Sequence, residues 1–136
     1  MGKRYKGKNI KLPFCVKAEN AEIKAQYNKI VEEFVELGEE NANILNKLRK
    51  SAIKRTPENN VTRTDIEKAY MEAFDVMQAA QGYMQVLADK YGKHFGFTFN
   101  SMFEKSIQKN ADRGYYGEDF NMADWREKHE RGNNKK

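Results

Sequence analysis

Two segments of the chain carry acidic side chains at a spacing of three residues. Glu72 and Asp75 open the stretch EAFDVMQAAQGYMQVLA, in which Asp75 is the one charged residue after the first. Glu33 and Glu36 lie in VEEFVELGEE. Residues three apart share a face of a helix. Because an unpaired carboxylate is costly to bury, Asp75 in so uncharged a helix predicts a cation beside it: Arg, Lys or a metal.

These four carboxylates converge if the two predicted helices pack as antiparallel neighbours. Four close anions repel one another strongly unless cations bridge them. Oxygen-only ligands suit Mg²⁺ or Mn²⁺, and such ions activate water and hold phosphate oxygens. Acidic pairs at this spacing also occur on ordinary solvated helices, so a solvated or salt-bridged face stays open as the alternative.

Basic side chains form a stripe on a later predicted helix, in FEKSIQKNADRG. The stripe runs at i, i+4 and i+8 through Lys105, Lys109 and Arg113. Asn110 lies beside it, and Tyr116 follows and could either stack on a base or pack. Cations near a helix C-terminus are favourable on their own. The functional interpretation is a clamp for a polyphosphate, in which Arg binds bidentately and Lys supplies a point charge.

Apolar periodicity predicts the helices that position these groups. They span about 19–50, 64–91, 100–113 and 122–130. The first carries an apolar stripe at spacings of three and four: Ile23, Tyr27, Ile30, Val31, Phe34, Leu37, Leu45 and Leu48. The second is predicted to begin with a capping box from Thr64 to Glu67. Since it is apolar nearly all round, we expect it to be buried on all sides. Gly114 is expected to stop the third.

The totals set the class of protein. A chain of 136 residues suits one domain. Its hydrophobic content of 39% is below the usual range, which indicates long solvated faces or a core completed in an oligomer. The net charge of +5 comes largely from the two ends, so it is only a weak indication of nucleic-acid binding.

Localisation is predicted from what the sequence lacks. A single cysteine, Cys15, fits a reducing compartment. We see no apolar run of membrane-spanning length and no secretory leader, so we expect a cytoplasmic protein. His94 and His129, read as loop and tail residues, are remote from Cys15 and give no sign of nucleophilic catalysis. The phosphate-binding loop of P-loop ATPases is also missing.

Taken together, these motifs resemble the MazG-like all-α nucleoside triphosphate pyrophosphohydrolases. The resemblance rests on EEFVE (32–36), EAFD (72–75) and KNADRG (109–114), in that order, and covers roughly residues 20–117. It implies an all-α helical bundle of about four helices, with the acidic motifs on two adjacent helices and the assembly completed as a homodimer or homotetramer. We therefore divide the chain into a basic N-terminal arm at 1–18, a MazG-like catalytic domain at 19–117 and a C-terminal extension at 118–136.

The resemblance further implies the reaction and the role of each residue. An NTP or dNTP would be hydrolysed to the monophosphate and pyrophosphate with Mg²⁺, or Mn²⁺, as cofactor. The metal ligands would be Glu33, Glu36, Glu72 and Asp75. Glu32 would orient or deprotonate the attacking water. Lys109, Asn110 and Arg113 would contact phosphates or sugar, and the clamp and stacking interpretations above add Lys105 and Tyr116 as substrate-binding residues.

Three features depart from the resemblance and keep a second hypothesis open. They are the basic N-terminal arm, the long basic segment between the acidic motifs, and the tail after position 117. These could cover a base pocket, build the oligomer or contact nucleic acid. The alternative is therefore a non-enzymatic helical protein that binds nucleic acid or supports assembly. Against nucleic-acid binding, the acidic strips would repel phosphate, and the aromatic side chains are not interleaved with the basic ones.

Overall fold

The computed structural model describes residues 12–18, 20–53 and 60–133. Within them lie one 3-10 turn and four α-helices: Val16–Ala18, α1 Ile23–Ile53, α2 Arg63–Phe95, α3 Phe99–Asp112 and α4 Met122–Asn133. This part of the chain contains no strand, so the all-α prediction with its four helices is confirmed. None of the helices is long and apolar enough to cross a bilayer. The predicted basic arm before Leu12 and positions 54–59 of the predicted loop lie outside the described residues.

Helices α1 and α2 form an antiparallel hairpin that a buried carboxylate fastens near its turn. Asp65 is 8% exposed and accepts hydrogen bonds from Lys47 Nζ at 2.6 Å and Asn43 Nδ2 at 3.0 Å. The Lys47 ammonium, followed by the Thr62 backbone N–H, holds the pKa of Asp65 well below its usual range. A buried charge is tolerated because it is paired and hydrogen-bonded.

The same aspartate also takes part in the cap of α2. The N-cap residue is Thr62, two residues before the predicted N-cap Thr64. Thr62 Oγ1 accepts from the Asp65 N–H at 3.2 Å, and Asp65 Oδ2 accepts from the Thr62 N–H at 2.9 Å. This reciprocal pair is a capping box. The predicted box from Thr64 to Glu67 is therefore wrong; Glu67 instead pairs with Arg63 at 2.7 Å on the surface. Thr62–Asp65 and Thr64–Glu67 both have residue types that can form a capping box. The box forms at Thr62 because Asp65 is also held by its hydrogen bond from Lys47.

Buried glutamines of α2 bind the backbone of the N-terminal segment. Gln81 is 4% exposed and donates to the Pro13 carbonyl at 2.8 Å. Gln85 accepts from the Cys15 N–H at 3.0 Å and donates to the Cys15 carbonyl at 3.3 Å. Gln78 reaches the Pro13 carbonyl at 3.5 Å. We call Gln78, Gln81 and Gln85 the glutamine ladder.

The apolar surface of the hairpin is mostly exposed, contrary to the prediction that α2 is buried on all sides. Among the described residues the buried apolar side chains are Ala18, Ala79 and Val86. On α2, Tyr70 is 74% and Met77 is 56% exposed. One face of α2 packs on α1 and another on the N-terminal segment, so a third apolar face is left uncovered by the residues that the structure describes.

The chain separates into two compact units, Met1–Lys90 and Tyr91–Lys136, each described by itself. In the second unit, α2 continues to Phe95, so His94 lies in its last turn and the prediction of a loop there is wrong. Helix α3 begins with a capping box between Thr98 and Ser101, which sequence reasoning missed.

The ends of α3 and α4 in the second unit agree with the sequence. The C-terminus of α3 is a Schellman motif, because Gly114 has φ of 81° and donates to Ala111, while Tyr115 donates to Asn110. Gly114 therefore stops α3 as predicted. Trp125 of α4 stacks on Phe103 of α3 with ring centroids 6.2 Å apart, and this contact holds the two helices together.

Candidate metal centre

A cluster of carboxylates lies between α1 and α2, near the middle of the hairpin. Glu33, Glu72 and Asp75 each offer one oxygen, and these oxygens all lie within 4.8 Å of one another. Glu33 is buried, Glu72 is half-buried and Asp75 is exposed. The spacing of three residues puts Glu72 and Asp75 on one side of α2, and the antiparallel packing brings Glu33 across from them. The predicted convergence of these three acids is therefore observed.

Two oxygens of the cluster are buried without a hydrogen-bond partner among the described residues: Glu33 Oε2 and Glu72 Oε2. Leaving a buried acceptor unsatisfied costs about 1–3 kcal/mol, and more when the group is charged. The two oxygens belong to different helices, so a local distortion of one helix would not explain why both lack a partner. A ligand that accepts electron pairs from both carboxylates would remove the cost.

Glu36, the fourth predicted ligand, lies beside the cluster but is not one of the three acids whose oxygens converge. The negative charge of Glu33, with partial burial and then the charge of Glu72, raises the pKa of Glu36 above its ordinary value. Like charges raise the pKa of a carboxyl because they disfavour its ionised form. Glu36 is exposed, so it reaches the cluster from the solvent side, as Asp75 does.

One cation already lies beside the cluster. Lys29 Nζ is 2.8 Å from Glu33 Oε1 and 3.5 Å from Glu32 Oε1. The hydrogen bond to Glu33 raises the pKa of Lys29, so the ammonium stays charged at neutral pH. The salt-bridge alternative therefore accounts for one oxygen of Glu33. It leaves Glu33 Oε2 and Glu72 Oε2 without a partner among the described residues. It also leaves the single positive charge of Lys29 beside the four negative charges of Glu33, Glu36, Glu72 and Asp75.

The donor set fits a hard divalent cation. Oxygens bound to one Mg²⁺ at about 2.1 Å lie at most about 4.2 Å apart, so the observed cluster needs only small side-chain movements to close on an ion. Glu33, Glu72 and Asp75 supply three anionic oxygens, and Glu36 lies near enough for the charges of Glu33 and Glu72 to raise its pKa. Glu32 points elsewhere: its side chain is 60% exposed and its partner is Lys29.

The predicted basic stripe lines a groove in the second unit. Lys105, Lys109 and Arg113 share this groove, of about 620 Å³, with Arg126 of α4. Arg126 is paired to Glu104 at 3.2 Å. Sequence spacing could not assign Arg126 to this stripe, because α4 is a separate helix that only tertiary packing brings alongside α3.

Two further predicted substrate residues are placed as follows. Asn110 is half-buried, and its carbonyl accepts from the Tyr115 N–H at 3.1 Å. Tyr116 packs on Phe120 with centroids 4.8 Å apart and is 42% exposed. The backbone of Asn110 therefore serves the helix terminus, and the ring of Tyr116 keeps a partly open face.

The described residues form an all-α fold of four helices with a carboxylate centre on its first helical hairpin. No family model, no curated protein and no solved structure matches the chain.

Proposed function

We propose that the protein is a Mg²⁺-dependent nucleoside triphosphate pyrophosphohydrolase. The observation that carries the proposal is the pair of buried, unpartnered carboxylate oxygens on α1 and α2, Glu33 Oε2 and Glu72 Oε2. They converge with Asp75 in a site that opens to solvent. The motifs EEFVE, EAFD and KNADRG, in their order along the chain, favour the MazG-like class over other metal-binding helical proteins.

In this reaction water adds to the α-phosphorus of an NTP or dNTP, the bond to the bridging oxygen breaks, and pyrophosphate leaves. Bound Mg²⁺ supplies Lewis acidity toward water and phosphate oxygens. Glu33, Glu72 and Asp75 would hold the ion, with Glu36 reaching it from the solvent side. Because Lys29 neutralises part of the charge on Glu33, it limits the repulsion between the ligands before the ion binds.

The remaining groups take the roles that their chemistry supports. Phosphate oxygens would be bound by the cationic side chains of Lys105, Lys109 and Arg113. The amide of Asn110 would contact phosphate or sugar. The partly open ring of Tyr116 would stack on a base. Glu32 would position or deprotonate the water. For this role Glu32 would have to leave its ion pair with Lys29. The main binding partner would be the nucleotide. The protein would assemble as a homodimer or homotetramer and act in the cytoplasm.

The test is a product assay with Mg²⁺ and a panel of NTPs, dNTPs and dUTP. We expect monophosphate and pyrophosphate, and we expect chelation to abolish both. The Glu72→Gln variant should lose activity at least about 100-fold, because it removes an anionic ligand without changing shape. The matched control is Glu67→Gln, which changes an exposed acid of the same helix that pairs with Arg63 on the surface. Diphosphate plus phosphate as products would contradict the proposed reaction.

The second candidate is a structural or nucleic-acid-binding protein whose acids serve only as ion-pair partners. The observation that favours it is the Lys29 ion pair with Glu33. Under this alternative, no nucleotide is hydrolysed and Mg²⁺ leaves the melting temperature unchanged. Either of those two results alone would weaken the enzyme proposal, and both together would replace it.

A further inference from the structure

The groove between α3 and α4 carries an excess of positive charge. Its volume of about 620 Å³ is within the usual range for a site that binds a small ligand. The charged side chains that line it are four cations and two carboxylates: Lys105, Lys109, Arg113, Arg126, Glu104 and Asp112. A net charge of +2 on one concave surface favours an anionic ligand. We call this surface the basic groove.

The two carboxylates of the basic groove do not neutralise the cations of α3. Glu104 pairs with Arg126 at 3.2 Å, and Asp112 accepts a hydrogen bond from Gln108 Nε2 at 2.9 Å. Within the residues that the structure describes, no cation of the α3 stripe has an ion-pair partner. Like charges one helical turn apart repel one another. A bound anion would therefore relieve repulsion along the stripe.

Arg126 is the cation that α4 adds to the basic groove, and two neighbouring contacts hold it there. Trp125, the preceding residue, stacks on Phe103 with ring centroids 6.2 Å apart. Glu104, which follows Phe103, pairs with Arg126 Nε. A guanidinium group has five N–H donors, more than the two oxygens of one carboxylate can accept in a single fork. Because the side chain is also 49% exposed, Arg126 can bind a second anion while it stays paired with Glu104.

We infer that Arg126 is a phosphate-binding residue, so that α4 of the C-terminal extension forms part of a polyphosphate site in the basic groove. The inference rests on the proposed function for the identity of the ligand, a nucleoside triphosphate. Cations of the α3 stripe recur about every 6 Å along the helix axis, so they suit a short chain of phosphates better than one isolated phosphate. Arg126 adds the planar fork that binds phosphate oxygens bidentately, which a lysine cannot do.

A nucleic-acid strand fits the basic groove less well than a triphosphate does. A strand repeats its phosphates over many nucleotides and follows a positively charged path that continues along the protein. Glu104 and Asp112 lie within the groove itself and would interrupt such a path. The triphosphate of a nucleotide concentrates its charge at one end of the ligand, which suits a short site.

The test is calorimetric binding of inorganic tripolyphosphate to the full chain, without metal ion and at about 0.15 M ionic strength. Without metal the carboxylate cluster repels the anion, so binding reports the basic groove. We expect Arg126→Gln to weaken binding at least about 10-fold. Lys128→Gln is the matched control, because it removes one positive charge from an exposed position of α4 outside the groove. We expect it to weaken binding less than about 2-fold, because salt screens a distant exposed charge.

Three results would overturn the inference. They are no binding by wild type, an equal effect of the two glutamine variants, and displacement of tripolyphosphate by a single-stranded oligonucleotide at matched phosphate concentration. The last result would assign the basic groove to nucleic acid instead.

Trp125 provides the control for folding. It is the single tryptophan of the chain, so its fluorescence shows whether α4 still packs on α3. If Arg126→Gln displaced α4, Arg126→Lys would be measured in its place. This variant keeps the charge that pairs with Glu104 but loses the planar fork, so we expect binding at least about 3-fold weaker than wild type. Wild-type affinity in Arg126→Lys would overturn the inference.

The inference and the proposed function fail by different results. Tripolyphosphate binding that depends on Arg126, without hydrolysis of any nucleotide, would refute the proposed function and leave the basic groove as a polyphosphate site. Hydrolysis with the same KM in Arg126→Gln as in wild type would keep the proposed function and overturn the inference.

Discussion

Replacing Asp75 by asparagine should change the stability of the protein in opposite directions with and without metal. Asp75→Asn keeps the shape of the side chain and removes one negative charge from the cluster. Glu33 and Glu72 each have an oxygen within 4.8 Å of it. At that distance two unit charges in a water-like medium repel by about 1 kcal/mol, and Lys29 offsets part of this. We therefore expect the metal-free variant to be more stable than wild type by about 1 kcal/mol, or about 4 °C.

With Mg²⁺ bound, wild type should be more stable than Asp75→Asn. A ligand at 100 times its dissociation constant stabilises the folded state by about 2.7 kcal/mol. Wild type gains this increment, whereas Asp75→Asn, with one anionic ligand fewer, gains much less. The assay is thermal unfolding of chelator-treated protein, repeated with MgCl₂ and with NaCl of equal ionic strength, so that general screening is subtracted.

Asp89→Asn is the control for Asp75→Asn, because it makes the same chemical change at an exposed position of the same helix. We expect it to follow wild type in both conditions. If Mg²⁺ raised the melting temperature of Asp75→Asn as much as that of wild type, Asp75 would not be a ligand. If the two asparagine variants behaved alike without metal, the repulsion argument itself would be refuted.

Three further predictions concern pH and the polar contacts of the hairpin. Because the folded-state pKa of Glu36 is raised above 4.5, its charge costs stability above that pKa. Metal-free protein should therefore gain stability in urea melts as pH falls through it, and Mg²⁺ should remove the gain. The pKa of Asp65 is lowered, so its contribution is present above 3.8 and lost as pH falls below that value; Asp65→Asn should flatten this acid limb, while Glu67→Gln should not. Gln81→Leu should lower the free energy of unfolding by about 0.5–1.5 kcal/mol, because it removes the 2.8 Å hydrogen bond to the Pro13 carbonyl. A loss no larger than that of Gln78→Leu, whose hydrogen bond to the same carbonyl is 3.5 Å long, would contradict this.

The helices and the acid cluster were predictable because both depend on local periodicity. Residues three apart share a helix face whatever the tertiary structure, so Glu72 and Asp75 follow from sequence once the helix is recognised. Glu33 needed one further assumption, that α1 and α2 pack antiparallel.

The remaining features depend on contacts that sequence spacing does not specify. Two capping boxes were available at the start of α2, and the contact of Asp65 with Lys47, from a different helix, decided between them. Arg126 joins the basic groove only because Trp125 stacks on Phe103 and brings α4 to α3. Apolar periodicity identified the apolar stripe of α1 but not its exposure, since an apolar face that stays exposed and one inside a core have the same pattern.

The glutamine ladder means that side chains of α2, and not side chains of the N-terminal segment, determine where that segment lies. Gln81 and Gln85 bind the main-chain groups of Pro13 and Cys15, and those groups are the same in every amino acid except for the missing N–H of proline. Side-chain changes at position 15 should therefore leave the attachment in place, whereas Cys15→Pro should release it. The side chains at 13 and 15 can thus change while the main chain at these positions stays attached to α2.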